Sequence, residues 1–288
     1  MKVVPSGGAL GADIEGVDLA RAGRDPAAVG AVRQALLDHL VIRVRDQDLT
    51  DPDLLAFAAG FGELDRAPIS PYGNKPYLPD FPYLGVISNI VIDGVPQGSL
   101  GSGESQWHGD MTYKDDPPMA CVLYALQVPE AGGDTGFANM YRAFDALPAD
   151  LRAAVRGRSA KHDSSTNSAG QTRHGFKDAY DDPDDIPGAV HPLVREHPET
   201  GKAALFLGRR LNAHIIGMDK PDSDDLLDRL WAHATQPHLT WTQRWRAGDF
   251  LMWDNRAVLH RRDAIDPAQP RMMHRAQIRD AWPVKAAG

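Results

Sequence analysis

Apolar residues recur at helical spacing across residues 26–40, PAAVGAVRQALLDHL, and pass directly into VIRVR at 41–45, a β-branched, alternating run. This pair predicts a helix feeding straight into a strand. Thr50 stands ahead of DPDLLAFAAGFGEL, where its hydroxyl and Pro52 predict a capped helix start. Residues 66–105 are rich in proline and glycine, and within them only YLGVISNIVI at 83–92 reads as a strand. A second apolar run at 119–128 predicts another. YRAFDALPADLRAAVRG, 141–157, predicts one helix or two, broken near Pro148.

Residues 163–188 lose this periodicity and carry mostly Ser, Asn, Asp and Gly. A long loop inside a compact domain predicts a lid over a site. Beyond it come short strand-like runs: AVHPLVREH, KAALFLG, HLTWTQRW, DFLMWD and RMMHRAQIRD, interrupted by one helical stretch, DDLLDRLWAHAT at 224–235. Many short strands toward the C-terminus, with helices mostly before them, predict a mainly β fold with flanking α. The expected form is a sandwich or barrel with helices packed outside.

Composition narrows the class. The 288 residues are 42% hydrophobic, enough to bury a substantial core. A net charge of −8 argues against nucleic acid and anionic membranes as partners, while leaving room for a local cationic pocket. Cys121 is the one cysteine, so the fold does not depend on an internal disulfide, and its apolar setting predicts a packing thiol. The first residues lack a hydrophobic leader and no run approaches membrane-span length, so a soluble, cytoplasmic protein is expected.

The candidate chemistry begins at SQWHGDMTY, 105–113. In an extended segment residues i and i+2 share a face, so His108 and Asp110 can converge on one ion with Gly109 turned away. Alone, the pair equally fits a surface His–Asp hydrogen bond. A second histidine would complete the two-histidine, one-carboxylate set of non-haem iron(II) oxygenases.

WHGDMTY, GGDT at 132–135, WDNRAVLHRRD at 253–263 and RMMHRAQI at 271–278 occur in this order. With GADIEGVDL, FGEL and HPLVREHPETGKAALF, they resemble the taurine dioxygenase/phenoxyacetate-herbicide dioxygenase (TauD/TfdA) family over most of the chain. The resemblance implies a single domain, 1–288, with a double-stranded β-helix (jelly-roll, cupin-like) core and N-terminal and inserted helices. It also implies an Fe(II)- and 2-oxoglutarate-dependent dioxygenase that consumes O2 and releases succinate and CO2. The iron ligands would be His108, Asp110 and His260. Thr135 and Arg271 would hold the 2-oxoglutarate carboxylate, and Arg275 the anionic end of the substrate, with Met111 and Leu211 as further substrate contacts. A planar guanidinium suits a carboxylate in a bidentate way. Asp254, Asn255 and Arg256 would form a turn that orients the distal histidine. Trp107, Trp253 and Tyr113 are expected around the site, and Trp241 and Trp245 in strand core. His274, an odd step from both arginines, should face the other side of its strand.

Because Asp110 is present, where related halogenases have a small residue, the resemblance implies hydroxylation, with or without fragmentation, desaturation or epoxidation. Taurine itself is not expected: DRAPISPYG follows FGEL and GSGESQ precedes the metal segment, without the residues the taurine enzymes carry there. A small anionic substrate is expected, such as an acidic natural-product intermediate, an alkylsulfonate or an aryloxyalkanoate. A homo-oligomer, dimer or tetramer, is implied by the family. The rival readings are a jelly-roll metal-binding protein and an oxygenase that does not use 2-oxoglutarate.

Overall fold

The computed structural model describes residues 1–69, 75–177, 180 and 182–288. The predicted helix–strand junction is present: a helix at Pro26–His39 ends on Leu40, whose φ of 65° turns the chain into a strand at Val41–Val44. Thr50 caps the Asp51–Ala59 helix in a capping box, accepting from the Asp53 N–H while the Asp53 carboxylate returns to the Thr50 backbone. The 141–157 stretch forms two helices, Met140–Asp145 and Ala149–Val155, with Pro148 heading the second. The strand expected at 83–92 is shorter, Gly85–Ser88, and a separate two-residue strand follows at Val91–Ile92.

Two mainly antiparallel sheets dominate. The larger has eight strands, and its centre is formed by Phe250–Asp254, Ala120–Gln127 and Met272–Ile278 side by side. The smaller has four, with Thr135–Asn139 and Val258–Arg262 in the middle and Ser105–His108 at one edge.

Strand parity explains why the central strands read as continuous apolar runs. Successive side chains of a strand point to opposite faces. Cys121, Leu123 and Ala125 join a core that also takes Leu251, Trp253 and Met273 from the large sheet and Phe137 and Leu259 from the small one. Their neighbours Val122, Tyr124, Phe250, Met252 and Ala276 point the other way, onto the N-terminal helices with Leu36, Leu54 and Phe57. The large sheet is thus buried on both faces. One face meets helices and the other meets the small sheet. Cys121 is fully buried and free, as its setting predicted.

The 163–188 segment forms no strand, and one short 3-10 turn at Pro183–Asp185 is its only helical element among the described residues. Its start is not a loose cover. Asp163, Ser165, Thr166 and Ser168 are buried, and the Asp163 carboxylate accepts from the Ser165 N–H and the Thr166 hydroxyl, each at 2.7 Å. The lid expectation for positions 178, 179 and 181 falls outside the described residues. No described helix is long and apolar enough to cross a membrane.

One buried polar contact ties the helical layer to the sheet. The Tyr124 hydroxyl donates to the Gln47 carbonyl at 2.8 Å and accepts from the Leu49 N–H at 3.1 Å. Tyr124→Phe leaves both groups unpaired and is expected to cost about 1–3 kcal/mol of stability. Urea unfolding with an unchanged m-value is the check; a loss under about 0.5 kcal/mol, the scale of an inconsequential surface change, would show that water replaces the hydroxyl.

Candidate active site

The inner face of the small sheet and the face of the large one opposite it enclose a cavity of about 400 Å³. His108 ends the Ser105–His108 strand and lies directly opposite His260 in antiparallel register. Asp110 follows in the adjoining turn. The three side chains are buried, and one donor atom from each lies within 4.8 Å of the others. Asp110 Oδ1 lies 3.7 Å from His108 Nε2 and 4.0 Å from His260 Nε2, and the two imidazole centroids are 4.1 Å apart.

The ring orientation of His108 has a local cause. Its Nδ1 lies 2.7 Å from the Gln106 carbonyl, which can only accept, so the proton sits on Nδ1 and the Nε2 lone pair faces Asp110. His260 is packed against Trp253, centroid to centroid 4.9 Å, and its Nδ1 has no partner among the described residues. Burial, followed by the neighbouring His108, pushes the His260 imidazole down to about 3, so it is neutral and able to donate a lone pair. Burial opposes the Asp110 charge, but Arg275 and the two histidines outweigh it and hold the carboxyl well below its ordinary range. Two imidazoles and one carboxylate facing one another suit a divalent transition metal.

Asn255 fixes the Asp110 backbone from the far strand hairpin. Its Oδ1 accepts from the Asp110 N–H at 2.8 Å, while its Nδ2 donates to the carbonyls of Asp110 and Pro118 at 2.9 and 3.0 Å. Met111, next in the chain, is held at φ 51°, in the left-handed region that a side chain rarely adopts. The turn therefore has little freedom to place Asp110 elsewhere. A Cβ at Gly109 would lie 2.9 Å from the Thr112 methyl, so a side chain there requires Thr112 to move.

The second chemical group of the cavity is guanidinium. Arg271 and Arg275 both line it, as their even spacing predicts, with Met273 between them in the shared core. His274 points away and meets Asp51 of the capped helix at 2.6 Å. Arg271 is 1% exposed, and its Nε and Nη1 have no partner among the described residues. Burial, then the charge of Arg262, pushes its pKa down to about 9, the mark of a cation lacking a counter-ion. Thr135 lies across the same cavity, its hydroxyl accepting from Trp245 Nε1 at 2.9 Å. The two glycines before it have a steric role. Gly132 and Gly133 sit at φ 80° and 67°, and a Cβ on Gly133 would press on Ile265 at 3.1 Å and the Arg271 side chain at 3.4 Å. A carboxylate therefore fits Arg271 and Thr135, and a cation fits the His–Asp–His cluster.

Several expectations shift. Leu211 is 38% exposed and is not among the cavity-lining residues; the Gly208–Asn212 turn carries it outward. Trp107 is on the outer face of the small sheet, under Arg261 at 5.4 Å, because its neighbour His108 takes the inner face. Trp245 holds the Thr135 hydroxyl instead of serving only as core. Met111, Trp253, Tyr113 and His174 do line the cavity. Sequence reasoning missed Arg173, Arg209 and Arg262, which line it too. For Arg262 the signal was available: it lies an even step from His260 on one strand.

The family model described as "Taurine catabolism dioxygenase TauD, TfdA family" matches residues 2–277. An (S)-phenoxypropionate/alpha-ketoglutarate-dioxygenase of Delftia acidovorans is 33% identical over 296 residues, spanning 96% of this chain and 94% of its own. An alpha-ketoglutarate-dependent sulfate ester dioxygenase of Pseudomonas putida is 31% identical, spanning 100% of this chain and 92% of its own. Among solved structures, AAD-2 in complex with Mn(II) and N-oxalylglycine superposes with a TM-score of 0.79 at 29% identity, covering 98% of this chain and 99% of that one.

Asn255→Ala frees the Asp110 turn without touching any of the three donor atoms. Metal affinity is expected to fall about 10- to 100-fold, the usual effect of losing an outer support. Titration of the purified protein with Mn(II), read by calorimetry, checks it; an unchanged affinity in a folded variant would mean that the Met111 turn alone positions the carboxylate.

Proposed function

The chain belongs to the TauD/TfdA family and is an iron(II)- and 2-oxoglutarate-dependent dioxygenase, and we propose that His108, Asp110 and His260 hold the iron while Arg271 and Thr135 hold the far carboxylate of 2-oxoglutarate. The observation that carries this reading is the pairing of a buried, mutually facing His–Asp–His cluster with a buried arginine whose Nε and Nη1 have no protein partner. The two packed sheets are read as a double-stranded β-helix, with residues 1–288 as one domain.

Iron(II) with 2-oxoglutarate and O2 supplies the oxidising chemistry that converts the co-substrate to succinate and CO2 and oxidises a carbon of the organic substrate. The protein's share is placement. Asp110 keeps its charge because Arg275 lies 3.4 Å from its Oδ2. The Gln106 carbonyl holds the His108 lone pair toward the cluster. Trp253 and Leu123 wall the cavity with apolar surface and limit water beside the reacting carbon.

Arg275 is read as the contact for the anionic end of the substrate. Relatives acting on phenoxypropionate and on sulfate esters support an anionic organic substrate. Taurine is disfavoured by the residues around FGEL and ahead of His108. With Asp110 present, the favoured outcomes are hydroxylation, with or without fragmentation of the product, desaturation and epoxidation.

Anaerobic titration of the apo-protein with Fe(II) and then 2-oxoglutarate tests the pairing. A visible charge-transfer band saturating at one equivalent is expected, and iron uptake without a band would remove 2-oxoglutarate from the assigned site. In steady state, Arg271→Ala is expected to raise the KM for 2-oxoglutarate roughly 30-fold or more, the scale of stranding one partner of a buried charge pair. Arg275→Ala is expected to act on the organic substrate instead. The opposite pattern would exchange the two assignments.

A further inference from the structure

The cavity holds more positive charge than the assigned roles use. Five arginines line it, Arg173, Arg209, Arg262, Arg271 and Arg275, and among the described residues its only carboxylate is Asp110. A divalent iron and the two carboxylates of 2-oxoglutarate cancel each other. Among the described residues, Arg275 alone of the five forms an ion pair, with Asp110. Arg262 belongs with Arg271: its position lies opposite Thr135 in register, and each of its Nε and Nη1 lacks a protein partner.

Arg173 and Arg209 form a separate group around Tyr113. Their guanidinium carbons lie 4.6 and 5.4 Å from the Tyr113 ring centroid. Arg173 Nη2 donates to the Tyr113 hydroxyl at 2.8 Å, and Arg209 Nη1 donates to the Thr166 carbonyl at 2.5 Å. Arg209 is only 9% exposed, and its Nε has no partner among the described residues. Its backbone bridges to His108, so this group sits beside the iron ligands but on a different wall from Thr135. Two guanidiniums held beside one ring repel each other; Asp110 and Asp163 act on Arg209 from a distance, but among the described residues neither arginine has a carboxylate in ion-pair contact, so the pair is costly to bury. A bound oxyanion removes that cost and gains charge-assisted hydrogen bonds.

Resting on the function proposed above, we infer that Arg173, Arg209 and Tyr113 form a second oxyanion subsite, which takes a carboxylate, sulfonate or sulfate group of the organic substrate distinct from the group at Arg275. The preferred substrate then carries two separated anionic groups. Tyr113 serves as a flat spacer that holds the two arginines, and the buried Asp163–Thr166 turn anchors the wall behind them.

Sulfate is the probe. The protein is loaded with Mn(II) and 2-oxoglutarate, with uptake of each measured first, and then titrated with sodium sulfate at constant ionic strength by calorimetry. One sulfate per chain is expected at this subsite, because Arg275 is already paired with Asp110 and holds a lone sulfate weakly. Binding should weaken at least tenfold in Arg173→Ala and in Arg173→Gln, and stay within twofold in Arg275→Ala. No sulfate uptake by the wild type, loss in the Arg275 variant as well, or undiminished binding in both Arg173 variants would overturn the subsite. A purely structural role for Arg173 would lower the melting temperature and leave the sulfate affinity unchanged. Failure to take up 2-oxoglutarate would count against the cofactor assignment alone, because the sulfate titration can still be read on the Mn(II) form.

Discussion

The active centre hangs from one buried carboxylate, Asp254. It is fully buried at the end of a central strand, where an ionised group on its own would be very costly. Burial opposes its charge, but Arg256 and His197 outweigh that effect and hold it far below the ordinary range. Arg256 grips it through Nε at 2.9 Å and Nη2 at 2.7 Å, and His197 Nε2 lies 2.9 Å away. Arg256 reaches on to Glu199, which in turn pairs with Arg33 of the N-terminal helix. Removing one partner from such a group strands a buried charge, at about 3–5 kcal/mol. The hairpin turn that follows Asp254 is consequently fixed in one shape. Asn255 lies in that turn and His260 a short step along the next strand. One electrostatic knot therefore sets both the segment that carries the distal histidine and the amide that grips Asp110.

Much of this was legible from the chain, for reasons tied to particular residues. Thr50 and Pro52 marked a helix start because capping is a local interaction. The placement of Arg271, Arg275 and His274 followed from strand parity. Parity survives even at the register shift beside Met272 because the extra residue, Leu126, lies on the neighbouring strand. Trp107 and Leu211, expected from the resemblance and not from parity, lie elsewhere. Trp107 adjoins a ligand whose side the pairing with His260 decides, and pairing between distant strands is not written in either segment. Leu211 sits in a turn, with Asn212 at φ 56°, so no period applied. The polar composition of 163–188 did not reveal that Asp163, Ser165 and Thr166 are buried, because they bond to one another and to the backbone. Composition distinguishes polar from apolar, not satisfied from solvated.

The buried arginines are where local rules and the fold disagree. A core normally pairs every buried cation, and Arg195 and Arg256 obey this rule beneath the hairpin, against Asp280 and Asp254. Arg262 and Arg271 form no ion pair among the described residues: burial pushes them down to about 10 and about 9, the penalty of a desolvated charge without a counter-ion in contact. Natural chains break such rules mainly at functional sites. The same stress explains the spacing of the cavity's groups. Thr135, Arg262 and Arg271 lie toward one wall, and Asp110, flanked by Arg275, at the centre, so anions of different chemistry meet different arginines.

This arrangement also reconciles an acidic protein with anionic ligands. A net charge of −8 repels anions at long range, but that repulsion is screened within about 10 Å at physiological salt. Inside a cavity walled by Leu123, Ile87 and Trp253 the screening is weak and the guanidiniums dominate. The acidic surface therefore tunes encounter, while the arginines decide retention and orientation. Each buried cation costs the free protein stability that an anion returns on binding, which couples occupancy of the cavity to its rigidity. Such coupling delivers the co-substrate and substrate into a site whose metal ligands are already fixed from below by Asp254 and Asn255, and whose remaining freedom lies in the arginine walls.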